Sequence, residues 1–214
     1  MRTGGAVAVL AYALLTTAAG AQAEFQRLIK HCADQTRAPD ERIAACRLFG
    51  SSKGLDPVEY GFAELNIGAA YWEKGDDASA LAAYARSIAL EPNMWQTYND
   101  RIELRIKTAD LDGALDDYSH LVKIDPSKVQ MKVFGVKYGS EHGTPSGHGE
   151  THEASEYDRA VAMTRQKLSD AFYRRGLARR GSGDTTGGDA DIKSALAIDP
   201  EIANKPHVDG ENGG

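Results

Sequence analysis

GFAELNIGAAYWEKGDDASALAAYARSIALEPNM, residues 61–94, is the stretch that decides the fold. It closes on Leu-Glu-Pro at Pro92, and the same kind of closure, Ile-Asp-Pro, recurs at Pro126. A third closure, Ile198-Asp199-Pro200, ends another segment of the same design. A repeating unit of that period, made of two amphipathic helices, cannot bury its apolar face alone, so copies must stack. Gly68 and Ala80 are small where two helices would cross closely, and Tyr71 and Tyr84 fill the gap between them. Gly75 can take the left-handed conformation that ends a helix, and Pro92 stops the second one. Upstream, Asp56-Pro57-Val58-Glu59 lines up an N-cap acceptor, a proline at the first helical position and a capping-box carboxylate, which predicts a helix over 57–74.

Along its whole length this stretch resembles a tetratricopeptide repeat, with Ile67-Gly68, Tyr71, Gly75, Ala80, Tyr84 and Pro92 in the family's signature positions. Residues 95–128 resemble a looser copy that keeps Ala114, Tyr118 and Pro126 but has Ile102, Arg105 and Ala109 at the small, Tyr and Gly positions. Asp110 still offers a cap for its second helix, and Ala109, if held left-handed, costs about 1 kcal/mol relative to glycine. Residues 169–202 form the third copy, with Phe172, Gly176, Gly183, Ala195 and Pro200 in place and Gly188 where the family has alanine. The expected fold is all-α: an α-solenoid of antiparallel helix pairs, with about three tetratricopeptide units, two of them in 56–128, preceded by an N-terminal helical hairpin over 24–55.

Pro126 and Pro200 lie more than twice as far apart as Pro92 and Pro126, so 129–168 is an insert. Its stretch Val129–Glu153 carries Gly135, Gly139, Gly143, Gly147, Gly149 and Pro145 and reads as a long exposed loop. Val129, Met131 and Val133 alternate as an extended, edge-pairing segment would, which would let the insert cover part of a groove. From Ser155 the pattern turns helical, with Tyr157, Val161, Thr164, Leu168 and Phe172 on one face, extending the third unit's first helix back to span 156–180.

Met1–Ala23 reads as a secretory signal peptide. Arg2 is its only charge, an Ala-rich apolar run fills 6–20, and Ala21-Gln22-Ala23 is a small-x-small site for cleavage before Glu24. The alternative is an uncleaved membrane anchor, although the run is shorter than the roughly 20 residues a bilayer requires. Cleavage implies an exported chain, periplasmic or secreted, without stable membrane insertion. In an oxidising compartment Cys32 and Cys46, on two short helices over 24–33 and 40–50, are expected to be bonded, stapling a hairpin that caps the first repeat. Free buried thiols are the alternative; a redox pair is disfavoured by the lack of a Cys-x-x-Cys. The net charge of -6 becomes one unit more negative when Arg2 is lost, which disfavours nucleic acid as a partner. The polar, Gly-rich end, 203–214, is expected to be a disordered tail.

Groups that could carry chemistry are sparse. There is no nucleophile elbow, phosphate loop or His-Glu-x-x-His helix, so neither an enzyme nor a cofactor is expected. His142, His148 and His152 gather in the Gly-rich loop beside Glu141, Glu150 and Glu153; they could ligate zinc, copper or nickel, but their spacing matches no tight motif. A metal-binding or metal-delivery role through 142–152 is thus the alternative function. The stretch 184–191, DTTGGDAD, lacks the full ligand alternation and terminal Glu of a calcium loop. Arg174, Arg175, Arg179 and Arg180 either pair with nearby acids such as Asp170 or offer guanidinium to a partner's carboxylate or phosphate.

The resemblance implies a groove, lined by the first helix of each repeat, that binds a peptide or protein surface. By position its candidates are Phe62, Leu65, Asn66, Ala69 and Trp72, then Asn99, Glu103 and Ile106, then Tyr173, Arg174 and Leu177. The family's clamp for a C-terminal carboxylate is not reproduced, because Asp100 stands where a second Asn is needed. The expected function is that of a non-catalytic adaptor in the cell envelope whose partner is a protein or peptide. A module that only stabilises a larger complex is a further possibility.

Overall fold

A capping box starts the first repeat: the Asp56 side chain accepts from the Glu59 amide at 2.9 Å while Glu59 Oε2 accepts from the Asp56 amide at 2.9 Å. In this computed structural model, which describes residues 18–125, 132–133, 136–137 and 151–205, eight helices form antiparallel pairs stacked in a solenoid. They are α1 (Ala18–Ala33), α2 (Pro39–Gly50), α3 (Pro57–Glu73), α4 (Asp77–Leu90), α5 (Trp95–Lys107), α6 (Leu111–Leu121), α7 (Thr151–Gly181) and α8 (Thr185–Ile198). A short 3-10 turn, Ile202–Asn204, follows α8.

The turn inside each repeat is built the same way three times. Gly75, Ala109 and Gly183 are left-handed at φ 76°, 62° and 94°. The next residue, Asp76, Asp110 or Asp184, then caps the second helix by accepting from the amide of Ser79, Gly113 or Gly187. Ala109 therefore does sit where an L side chain is strained. Ala109→Gly is expected to raise stability by about 0.5–1 kcal/mol, seen as a higher urea midpoint with an unchanged slope.

The helices of the first repeat cross closely because Gly68 has no side chain: a Cβ there would lie 2.5 Å from Tyr84 Cε1. Ser87 then knits three helices, donating to the Gly61 carbonyl at 2.8 Å and sharing a 2.9 Å bond with Thr97. The apolar interior divides. Trp95, Tyr98, Ile102, Leu121, Leu168 and Phe172 belong to one large cluster spanning α5 to α8, whereas α1 to α4 hold smaller clusters around Phe49, Cys32–Cys46 and Tyr84, the last of them joined by Leu104 of α5.

Cys32 and Cys46 are fully buried and bonded, with Cα atoms 4.6 Å apart. Helix α1 is described from Ala18 and so spans the expected cleavage point. Phe25, Leu28, Ile29 and Cys32, which follow that point, pack it against its neighbours, and Phe25 meets the Phe49 ring at 5.2 Å. Among the described residues no helix is long and apolar enough to cross a membrane.

Helix α7 is described from Thr151, where the described residues resume, and contains the expected span 156–180. It is held to the second repeat by Tyr157, whose hydroxyl donates to the Leu121 carbonyl at 2.7 Å and whose ring meets Trp95 at 6.0 Å. Within the insert, Lys132–Val133 pairs antiparallel with Val136–Lys137, so the extended segment around Val133 pairs within the insert itself. The rest of 126–150, like Met1–Thr17 and 206–214, lies outside the described residues, and with it His142, His148, Val129 and Met131.

Candidate functional site

The first helices α3, α5 and α7 pack side by side, so their outward faces merge into one inner surface. Helical spacing and the intervals between the three Pro closures place Asn66, Asp100 and Arg174 in one row, Leu65, Asn99 and Tyr173 in a second, and Ala69, Glu103 and Leu177 in a third. Several of these residues are committed to the solenoid. Phe62 packs edge-on against Phe49 at 6.4 Å, and Ile106 and Tyr173 lean on the α5–α8 core. The Asn66 amide donates to the Phe62 carbonyl at 2.9 Å. Asn99 accepts from the Thr164 hydroxyl at 2.8 Å, and Glu103 meets Lys167 at 2.5 Å, so both tie α5 to α7. Leu65 and Trp72 are half-buried beside Tyr84 and Leu104. Ala69 is half-buried too, and Leu177 stands 45% exposed.

Asp100 is a half-buried carboxyl group on this surface. Desolvation first, then the Glu103 charge, push its carboxyl up to about 7 against a hydrogen bond from Asn99. It also helps to raise the phenol of fully buried Tyr84, whose burial is the larger cause and whose hydroxyl has no hydrogen-bond partner among the described residues. Because the folded value lies above the ordinary 3.8, the native state keeps a proton that the unfolded chain has lost. Its contribution is thus most favourable below pH 3.8 and is lost as pH rises through about 7. Asp100→Asn is expected to be more stable than the parent at pH 8 and no more stable near pH 4, as measured by urea midpoints at both values.

The arginine cluster is committed to internal carboxylates. Arg174 meets Asp170 at 2.8 Å, and Arg180 meets Asp189. Arg175 forms a two-pronged pair with Asp191 at 2.8 and 2.7 Å, and Arg179 adds a third contact at 3.0 Å. The arrangement at Arg101, Arg105 and Asp117, the equivalent positions of the second repeat, is the same: 2.8 and 2.5 Å for the fork and 3.0 Å for the third contact. Asp110 and Asp184 flank the second arginine at 3.4 and 3.7 Å, while the first arginine covers Tyr98 or Phe172 at 5.9 or 5.1 Å. Sequence reading grouped the arginines by adjacency and missed this duplicated knot. Its signature was present, because the interval that separates Pro126 from Pro200 also relates the two sets of Arg, Arg and Asp.

Among the described residues no group of three or more His, Cys, Asp or Glu could hold a metal ion. His152 lies on α7, and its two histidine companions fall outside the described residues.

Stacked helix pairs with a merged inner surface define a helical-repeat solenoid. The chain contains a tetratricopeptide repeat: that family's profile matches residues 65–94. Two solved structures are similar to it. "Crystal structure of MamA" has 17% identity and a TM-score of 0.40 over 78% of this chain and 72% of that one. "Crystal structure of MamA protein" has 15% identity and a TM-score of 0.38 over 79% and 69%. No curated protein matches the chain in sequence.

Proposed function

We propose that the chain is a non-catalytic adaptor of the cell envelope that docks an extended segment of another protein along the inner surface of α3, α5 and α7. The observation that supports this is the continuity of that surface. Rows of equivalent side chains cross three packed first helices, and at one end Leu177 leaves an apolar side chain 45% exposed. A segment lying across the rows would meet Trp72 and Ala69 on α3, the Asp100 carboxyl on α5, and Leu177 on α7. Export rests on the charge-poor apolar leader and its small-x-small site.

Mild crosslinking in a native envelope fraction, followed by mass spectrometry, tests both parts. The expected result is a mature N-terminus at Glu24 and one specific partner that is lost from a Trp72→Ala, Leu177→Asp variant. Both substitutions leave the links from Asn99 and Glu103 to α7 intact. A partner retained by the variant would overturn the inner-surface reading, and an intact Met1 terminus would overturn processing before Glu24.

A further inference from the structure

In the second and third repeats a buried carboxylate, Asp117 or Asp191, sits between two arginines. In the first repeat the positions equivalent to Asp117, Arg101 and Arg105 are held by Ala83, Ile67 and Tyr71. None carries a charge. Ala83 is fully buried against Cys32, Cys46 and Ile67, and beside it Ile67, Tyr71 and Ala82 line an open cleft of 260 Å³ between α2, α3 and α4. Arginines have nevertheless been brought to it from elsewhere. Arg47 reaches in from α2, and among the described residues its guanidinium meets the Tyr71 hydroxyl at 2.9 Å instead of a carboxylate. Arg86 enters from α4 and is held by Glu64 at 2.8 Å. This ion pair takes the place of the Tyr98–His120 ring stack of the second repeat.

We propose that this cleft is a carboxylate-binding site for an acidic segment of a protein partner, whose Asp or Glu side chain meets Arg47 and Arg86 much as Asp117 and Asp191 meet the arginines of their own repeats. Arg47 and Arg86 supply guanidinium groups, which bind carboxylate in a two-pronged geometry. The Tyr71 and Ser79 hydroxyls line the same space. Glu64 is an internal competitor: the incoming carboxylate must share or replace it on Arg86, so the free chain holds one arginine occupied and one poised. Glu64, Ile67 and Tyr71 lie on the opposite side of α3 from Leu65, Ala69 and Trp72. The site is therefore separate from the inner surface and stands whether or not that surface docks a segment. The net charge of -6 repels acidic peptides in general, so binding of one reports a local site.

The test titrates the full chain at low salt with an acetylated, amidated tetraglutamate peptide and, in parallel, inorganic phosphate, reading the Nε–H signals of the arginine side chains by NMR. The expected result is saturable shifts at Arg47 and Arg86. Arg47→Gln should weaken the peptide by about fivefold, the equivalent of about 1 kcal/mol for one guanidinium–carboxylate contact. Glu64→Gln should tighten it by about threefold by releasing Arg86, a gain that misfolding cannot mimic. Affinity indifferent to both substitutions, or shifts confined to α5 and α7, would overturn the site. Phosphate binding as tightly as the peptide would reduce it to an adventitious ion only.

Discussion

Asp117→Ala should lower the unfolding free energy by about 3–5 kcal/mol. Its carboxylate is 1% exposed and is gripped by Arg101 at 2.8 and 2.5 Å and by Arg105 at 3.0 Å. Removing it strips the half-buried Arg101 of its carboxylate and leaves Arg105 with Asp110 and the Gly113 carbonyl, so the loss is mostly the penalty of the uncompensated Arg101 charge. The first repeat shows the remedy. Arg101→Ile, Arg105→Tyr and Asp117→Ala together copy Ile67, Tyr71 and Ala83, and the triple variant is expected to recover most of what the single change loses. Urea midpoints for parent, single and triple variants decide it; a triple variant as unstable as the single one would show that the knot is favourable in its own right. Asp191→Ala should cost less, because Arg179 is 42% exposed and water can take over part of its solvation.

Removing the disulfide is the second large effect. Cys32 and Cys46 close a loop with a sequence separation of 14, and in the chain-entropy model such a crosslink is worth about 3 kcal/mol. The Cys32→Ala, Cys46→Ala variant should therefore melt about 6–12 °C below the oxidised parent. Much of that loss should fall on the α1–α2 hairpin, since Phe49 and Ile29 of the hairpin cover Ala63 of α3. Near-ultraviolet circular dichroism on heating, compared with the signal of the α5–α8 half, would show the hairpin leaving first. A single unaltered transition at the parent's temperature would mean that packing alone holds the cap in place.

The solenoid was legible because its punctuation is local. Three closing prolines, the left-handed turn with its aspartate cap, and the small residue at Gly68 each depend on a handful of neighbouring positions, so even the strained Ala109 could be anticipated from a single sequence. The inner surface was less legible. Asn99 and Glu103 look like free groove residues until α7 is placed beside α5; the register that pairs them with Thr164 and Lys167 is set across the insert, and no local pattern encodes it. The anchoring of α7 was not legible for a related reason: glycine content marks where a helix cannot be, and Tyr157 decides where this one is held. The cleft beside Arg47 was hidden because it is defined by what the first repeat lacks, and Arg47 arrives from outside the repeat.

The division of the interior between α1–α4 and α5–α8 bears on how the molecule opens. Apolar packing is dense within each half, while the contacts across the seam include Ser87 with Thr97, Tyr84 with Leu104, Ile88 against the larger core and the Asp77–Lys107 ion pair. In a stack of this kind each unit's opening free energy depends on its own packing and on its neighbour interfaces. Under conditions that favour folding, the amides of the two halves should exchange with solvent as two cooperative families, with those along the α4–α5 seam following the less stable of the two. A chain that looks like one continuous rod would then behave on the exchange timescale as a jointed one.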